Sequence, residues 1–209
     1  MVKVNSMEEN KTPPVPKSEK AKRTRQKILD AAKAVFLEQG FLKATAEEIS
    51  NKAEVGYGTF YLYFTDKRQA MHTILSEVND KLYELGETEK TRQGLGPLVT
   101  IKAIIRSFFD SFKENVDVLK IFNELAATDP DFKAQHDEVR ARLVNRIKEH
   151  ILKGAEIGNV RQVDPEIAAI SLSGLIESIA IEWFFNNRNY DKEKVIETVS
   201  KLYYYAIIK

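Results

Sequence analysis

Residues 44–67 read ATAEEISNKAEVGYGTFYLYFTDK. Thr45 can cap a helix, and Glu48 three positions on can return a hydrogen bond to the cap's own backbone, which makes a capping box. Ile49 and Ala53 then share one face at a spacing of four, while Glu47, Asn51 and Lys52 point elsewhere. A second segment opens on Gly56-Tyr57-Gly58-Thr59. Along it Phe60 and Phe64 fall on one face, Gly58 and Leu62 roughly opposite, and Thr59 and Tyr63 on a flank. Two short helices joined by a tight turn form a helix-turn-helix.

This arrangement suits a nucleic acid. A glycine near a helix start lets the backbone approach another surface closely, and the free N–H groups there favour a phosphate. Thr59, Tyr63 and Lys67 offer hydroxyl and ammonium donors to phosphate oxygens, and Tyr57 stands where a recognition helix reaches base edges. Thr45 and Glu47, at the start of the first helix of the pair, join the candidate DNA contacts with Gly58. Tyr61 is divided between core and phosphate contact, whereas Phe60 and Phe64 read as core.

The run from Thr24 to Met71 contains Ile28-Leu29-Asp30-Ala31-Ala32, Glu38-Gln39-Gly40-Phe41, Ala53-Glu54-Val55-Gly56 and Gly58-Thr59-Phe60-Tyr61-Leu62-Tyr63-Phe64 followed by Lys67. It resembles the DNA-binding domain of the tetracycline-repressor-type (TetR) family, over about a quarter of the chain. Members commonly carry Ala-Gly-Val-Ser in the turn. By that comparison Glu54 stands where glycine is usual, at a position preferring positive φ, and Gly56 replaces a serine cap. Many members also have a hydroxyl residue after the first cap, which Ala46 does not supply.

Composition bounds the rest. The chain has 209 residues, 43% of them hydrophobic, enough for one large or two small domains. It has no cysteine and three histidines, so neither a disulfide framework nor a thiolate or zinc site is expected. No apolar N-terminal stretch reads as a signal peptide, which predicts a cytoplasmic protein. The formal charge of +1 hides an asymmetry: residues 1–70 hold 13 Lys and Arg against 9 Asp and Glu, and the remainder 19 against 22. The basic run Lys17, Lys20, Lys22, Arg23, Arg25 and Lys27 is either a solvated flank or an arm that neutralises phosphates, with Lys22 and Arg23 as the candidate contacts. Residues 1–17, with Pro13, Pro14 and Pro16, read as a disordered extension.

Helical signals fill the chain from there. A first helix runs from about residue 18 to Gln39 and stops at Gly40; it covers the helix-turn-helix pair and completes a three-helix domain over 18–67. Asp66 with Gln69 opens a fourth helix reaching about Leu85 or Glu89, and the polar stretch Gly86–Gly96 reads as a loop. Pro97, Val116, Asp129-Pro130, Asp164-Pro165 and Asp191 mark the starts of five more, and no hairpin is evident. The expected fold is all-α with about nine helices, in which residues 68–209 form a ligand-binding and dimerisation domain.

Ile167–Phe185 is apolar around nearly its whole circumference, and could span a membrane, lie in a core or form an interface. Glu177 and Glu182 would each cost about 2 kcal/mol or more inside a bilayer, so burial in protein is the expectation. Ala168, Ser171, Gly174 and Ser178 would permit close approach of another helix. With the last helix, segments 165–187 and 191–208 resemble the family's dimer interface, a four-helix bundle built from two subunits.

The resemblance implies a ligand-responsive transcriptional repressor. It would bind double-stranded DNA as a homodimer at a palindromic operator, with reading helices about 34–36 Å apart. A small apolar or aromatic inducer among helices four to eight would shift the population toward a non-binding state by moving helix four. Phe108, Phe112, Phe122, Trp183 and Phe184 are either pocket lining or plain core, and Glu177, His72 or His136 could supply a polar handle. An enzyme is disfavoured: there is no Walker loop, complete dinucleotide fingerprint, His-Glu-x-x-His pair or nucleophile elbow, so no catalytic residue, metal or cofactor is expected. The alternative is a DNA-binding regulator that answers to a protein partner, which absence of a cavity in the bundle would favour.

Overall fold

A computed structural model describes residues 16–83 and 96–209, and these divide into two compact units, one ending at Ser76 and the other beginning at Glu77. The N-terminal extension up to residue 15, the far end of the fourth helix and the predicted loop up to residue 95 lie outside the described residues.

The first unit holds α1 (Glu19–Gln39), α2 (Ala46–Lys52), α3 (Tyr57–Tyr61) and the start of α4 (Lys67–Tyr83). Each boundary follows from a local hydrogen bond. The Ser18 hydroxyl accepts from the Ala21 amide at 3.2 Å, and Gly40 closes α1 at φ 84°. Both halves of the α2 capping box form: the Glu48 amide donates to Thr45 Oγ1 at 3.2 Å, and the Thr45 amide donates to Glu48 Oε2 at 2.9 Å. At α4 the Gln69 amide donates to Asp66 Oδ1 at 2.8 Å, but the Gln69 side chain reaches one residue further back, to the Thr65 amide at 2.6 Å. The apolar faces of these helices meet in a core of Ile28, Leu29, Ala32, Phe36, Ile49, Phe60, Phe64, Met71 and Leu75, all at most 2% exposed. Burying each larger side chain stabilises by roughly 1.5–3 kcal/mol, which holds a helix as short as α3 in place.

The second unit takes the rest of α4 and α5 (Pro97–Glu114), α6 (Val116–Thr128), α7 (Pro130–Glu156), α8 (Pro165–Ala180) and α9 (Lys192–Ile207). Asp129, Asp164 and Asp191 each cap the helix that follows, and Pro130 and Pro165 occupy first positions where no amide is needed. Two apolar clusters result. One gathers Ile105 and Phe109 of α5 with Ile176, Ala180, Ile196 and Val199; the other gathers Ile147, Ile151, Val160, Ala169, Leu172 and Ile207. Ion pairs fasten α5 to α9 along successive turns: Lys102 to Glu197, Arg106 to Glu193 through two contacts of 2.5 Å, and Asp110 to Lys192 at 2.6 Å. Among the described residues the fold is all-α; the nearest approach to a sheet is an isolated bridge between Val160 and Ile208.

Helix α8 departs from the sequence reading twice. It passes directly into a π-helix, Ile181–Phe185, and only 28% of the most apolar window of Pro165–Phe185 is buried within the chain. Ile167, Ile170 and Ile181 of this segment are exposed, as are Leu202 and Tyr205 of α9. Pro165–Phe185 is also the one segment among the described residues long and apolar enough to cross a membrane by length and composition. The apolar circumference therefore reflects two faces with different partners: one turned into the α5–α9 and α7 clusters, the other left uncovered by the single chain.

Candidate nucleic-acid interface and cavity

The turn before α3 is built on an unusual backbone. Glu54 has φ 51°, a left-handed conformation that favours glycine, and its carboxylate lies 2.8 Å from Lys27 Nζ of α1. The Lys27 hydrogen bond holds the Glu54 carboxyl below its ordinary range. Helix α3 then presents Tyr57, Gly58 and Tyr61 to solvent, while Phe60 is fully buried and Thr59 and Tyr63 are half-buried. Tyr57 and Tyr61 join through their hydroxyls at 2.9 Å, with rings edge to face at 5.1 Å. A Cβ added at Gly58 would meet nothing within 4 Å, so nothing inside the chain calls for glycine there.

Two of the candidate DNA contacts have other partners. All three donors of the Lys67 ammonium are taken up, by the carbonyls of Phe41, Leu42 and Ala44 at 2.9, 2.9 and 2.8 Å, and it lies 5.0 Å from the Phe41 ring centre. Burial lowers its pKa, with Glu48 acting in the opposite direction. Lys67 thus ties the start of α4 to the α1–α2 turn and leaves no hydrogen for a phosphate. Thr45 likewise gives its hydroxyl hydrogen to Glu48 Oε2 at 2.8 Å, so it caps α2 and has none to donate elsewhere. Lys22, Arg23 and Glu47 are exposed, Lys22 beside Glu19 at 2.8 Å.

The second unit contains a cavity of about 270 Å³, lined by residues of α4, α5, α6, α7 and α8 with its π-turn. Phe108, Phe112, Phe122, Glu177 and His136 of the sequence-derived set line it. Trp183 and Phe184 do not: they stack on each other at 4.7 Å, and Trp183 meets Phe109 edge to face at 5.5 Å in the core. His72 is also absent from the lining. Sequence reasoning missed Asn79, Arg140, Asn123 and Phe185, because polar residues on long helices look solvated and the π-turn shifts the helical register. Glu177 Oε2 lies 3.4 Å from Arg140 Nε, and burial pushes the Glu177 carboxyl above its usual range while Arg140 and His136 pull it back. Asn79 is 2% exposed, and its amide nitrogen is the buried side-chain atom left without a hydrogen-bond partner among the described residues. Such a group costs about 1–3 kcal/mol.

A helix-turn-helix unit followed by a helical unit with a partly open cavity is the layout of a DNA-binding regulator. The family profile described as "Bacterial regulatory proteins, tetR family" matches residues 28–71, and that described as "Tetracyclin repressor-like, C-terminal domain" matches residues 94–206. The chain belongs to the TetR family of transcriptional regulators. Among curated relatives, the fatty acid metabolism regulator protein of Bacillus subtilis is 23% identical over 84% of this chain and 91% of its own length. The HTH-type transcriptional regulator TtgR of Pseudomonas putida is 21% identical over 79% of this chain and 82% of its own. Of solved structures, a SmeT–triclosan complex aligns with a TM-score of 0.76 at 23% identity, over 90% of this chain and 92% of that one. The fatty acid degradation regulator FadR from Bacillus halodurans aligns with a TM-score of 0.71 at 22% identity, over 90% and 96%.

Proposed function

We propose that this protein is a ligand-responsive transcriptional repressor of the bacterial cytoplasm, binding a palindromic operator as a homodimer and released by a small apolar or aromatic inducer. The observation that carries the reading is the cavity of about 270 Å³ among α4 to α8, just below the roughly 300–1,000 Å³ of drug-sized ligand sites and so suited to a small molecule. It favours a small-molecule signal over control by a protein partner alone. A triclosan complex among the structural neighbours and fatty-acid regulators among the relatives support an apolar ligand.

In this reading residues 18–67 contact DNA and residues 68–209 bind ligand and dimerise. Tyr57 and Tyr61 meet base edges; Gly58 lets α3 approach closely; Thr59, Tyr63, Lys22 and Arg23 hold phosphates. Glu47 faces the groove, while Thr45 and Lys67 position the helices that make these contacts. The exposed apolar residues Ile167, Ile170, Ile181, Leu202 and Tyr205 would pair with their copies across a two-fold axis.

The test is selection of bound fragments from random duplex DNA by the purified protein, followed by release with candidate ligands. An enriched palindrome supports a dimeric sequence reader. Recovery of no preferred sequence at salt low enough to retain phosphate-driven binding would overturn the operator reading.

A further inference from the structure

The charged groups of the cavity restrict what can enter it. Five polar residues line the space: Asn79, Asn123, His136, Arg140 and Glu177. Arg140 and Glu177 already face each other at 3.4 Å. A carboxylate ligand that took Arg140 would leave the Glu177 carboxylate in a partly desolvated site with His136 as the remaining titratable neighbour. A cationic ligand that took Glu177 would leave the Arg140 guanidinium uncompensated. Arg140 is 48% and Glu177 31% exposed, so either displacement forfeits a partly exposed ion pair and leaves its remaining charge beside an aromatic wall. An uncharged ligand leaves the pair intact.

Asn79 supplies the second constraint. Its amide nitrogen is buried and has no hydrogen-bond partner among the described residues, and its residue lines the cavity from α4. An amide nitrogen carries donors only, so the complement is an acceptor. The terminal torsion of asparagine is broad, so the amide can turn toward an occupant. The remaining wall is apolar and largely aromatic, with Phe108, Phe112, Phe122 and Phe185 prominent.

We infer that the ligand of this cavity is an uncharged, largely aromatic molecule bearing one hydrogen-bond-accepting oxygen, a carbonyl or hydroxyl, that is received by the Asn79 amide. This assignment rests on the ligand-responsive reading above and names the chemistry of that site. It also places the recognition of the polar group on α4, the helix that continues from the helix-turn-helix unit.

The experiment is calorimetric titration of the full-length chain with four probes sharing one alkylphenyl body: 4-butylacetophenone, 1-butyl-4-ethylbenzene, 4-butylbenzoate and 4-butylbenzylamine. The ketone should bind more tightly than the hydrocarbon, and the hydrocarbon more tightly than either charged probe. Asn79→Leu should weaken the ketone about tenfold while leaving the hydrocarbon unchanged, and the unliganded variant should melt no lower than the parent because an unsatisfied amide has gone. Asn79→Ala gives the same selective loss if leucine does not fit. Unchanged ketone affinity in both variants, or preference for the benzoate or the amine, overturns the assignment and leaves the ligand-responsive reading standing. Failure of all four probes to bind also overturns the assignment, whereas the ligand-responsive reading is decided separately by whether candidate ligands release the selected DNA.

Discussion

The hydroxyl oxygens of Tyr57 and Tyr61 lie 2.9 Å apart on the exposed side of α3, one helical turn from each other. Only one of the two can donate in this bond, so the pair presents the surface with one hydroxyl hydrogen and a shared set of acceptors. If the pair reads bases, Tyr57→Phe should alter preference among operator variants by about 1–3 kcal/mol per affected base pair. Tyr61→Phe should do the same, and the double variant should be non-additive because the two side chains form one unit. Binding titrations against a panel of single-substitution operators measure this; additive, sequence-independent losses would count against base reading.

Gly58 separates folding from binding. The position is helical, exposed and open around a would-be Cβ, so Gly58→Ala should leave stability unchanged or raise it by up to about 1 kcal/mol. Operator affinity should fall, since the methyl stands between α3 and the DNA. Thermal melting and an electrophoretic assay on one sample give both values.

Lys67→Met keeps the stem and removes the ammonium that three carbonyls share. The first unit should lose about 2 kcal/mol, the scale of charged hydrogen bonds to backbone. The salt dependence of operator binding should stay unchanged. A drop in log–log slope of about 0.9 would instead return Lys67 to the phosphate contacts.

Gly154 of α7 should resist alanine although alanine is the better helix former. The added Cβ would sit 2.5 Å from Val160 Cγ2, and Val160 is buried and pinned by its bridge to Ile208. Overpacking of this kind costs about 1–3 kcal/mol, so Gly154→Ala should lower the melting temperature. Adding Val160→Ala to it should recover part of the loss, as a denaturation series would detect.

Glu197 carries the pH dependence of the α5–α9 seam. Hydrogen bonds from Lys102 and Lys201 depress its pKa from 4.5 to about 2. A carboxylate depressed in the folded state contributes stability that is complete above the unfolded value and is lost as pH falls through the folded one. The melting-temperature gap between the parent and Glu197→Gln should therefore be constant above pH 4.5, shrink toward pH 2 and vanish below it. A gap independent of pH would mean that the lysines do not hold this carboxylate in solution.

Much of the fold was legible because its signals are local. Ser18 with Gly40, Thr45 with Glu48, and the Asp-Pro pairs at 129–130 and 164–165 each announce a boundary within a few residues, and the structure places helices there. The positive φ of Glu54 was likewise expected, from the glycine that family members carry at that place. The cavity lining was only half legible. Phe108, Phe112, Phe122 and Glu177 line it, whereas Trp183 packs, partly buried, against the core cluster and Asn79 went unnoticed. Helical periodicity reports which face is apolar but not whether that face meets another side chain or an empty space.

Sequence alone thus determined the helical class, the caps and the helix-turn-helix, since these depend on dihedral preferences and hydrogen bonds closed within one turn. Tertiary structure decided what each donor and ring does once helices meet. Lys67 turned from solvent to three carbonyls, Trp183 packed, partly buried, against the core and not into the cavity, and Asn79 was buried beside the cavity without a partner among the described residues. The physical reason is that an ammonium, an indole or an amide takes whichever partner the packing brings within about 3–5 Å, and residues far apart in the chain supply that partner.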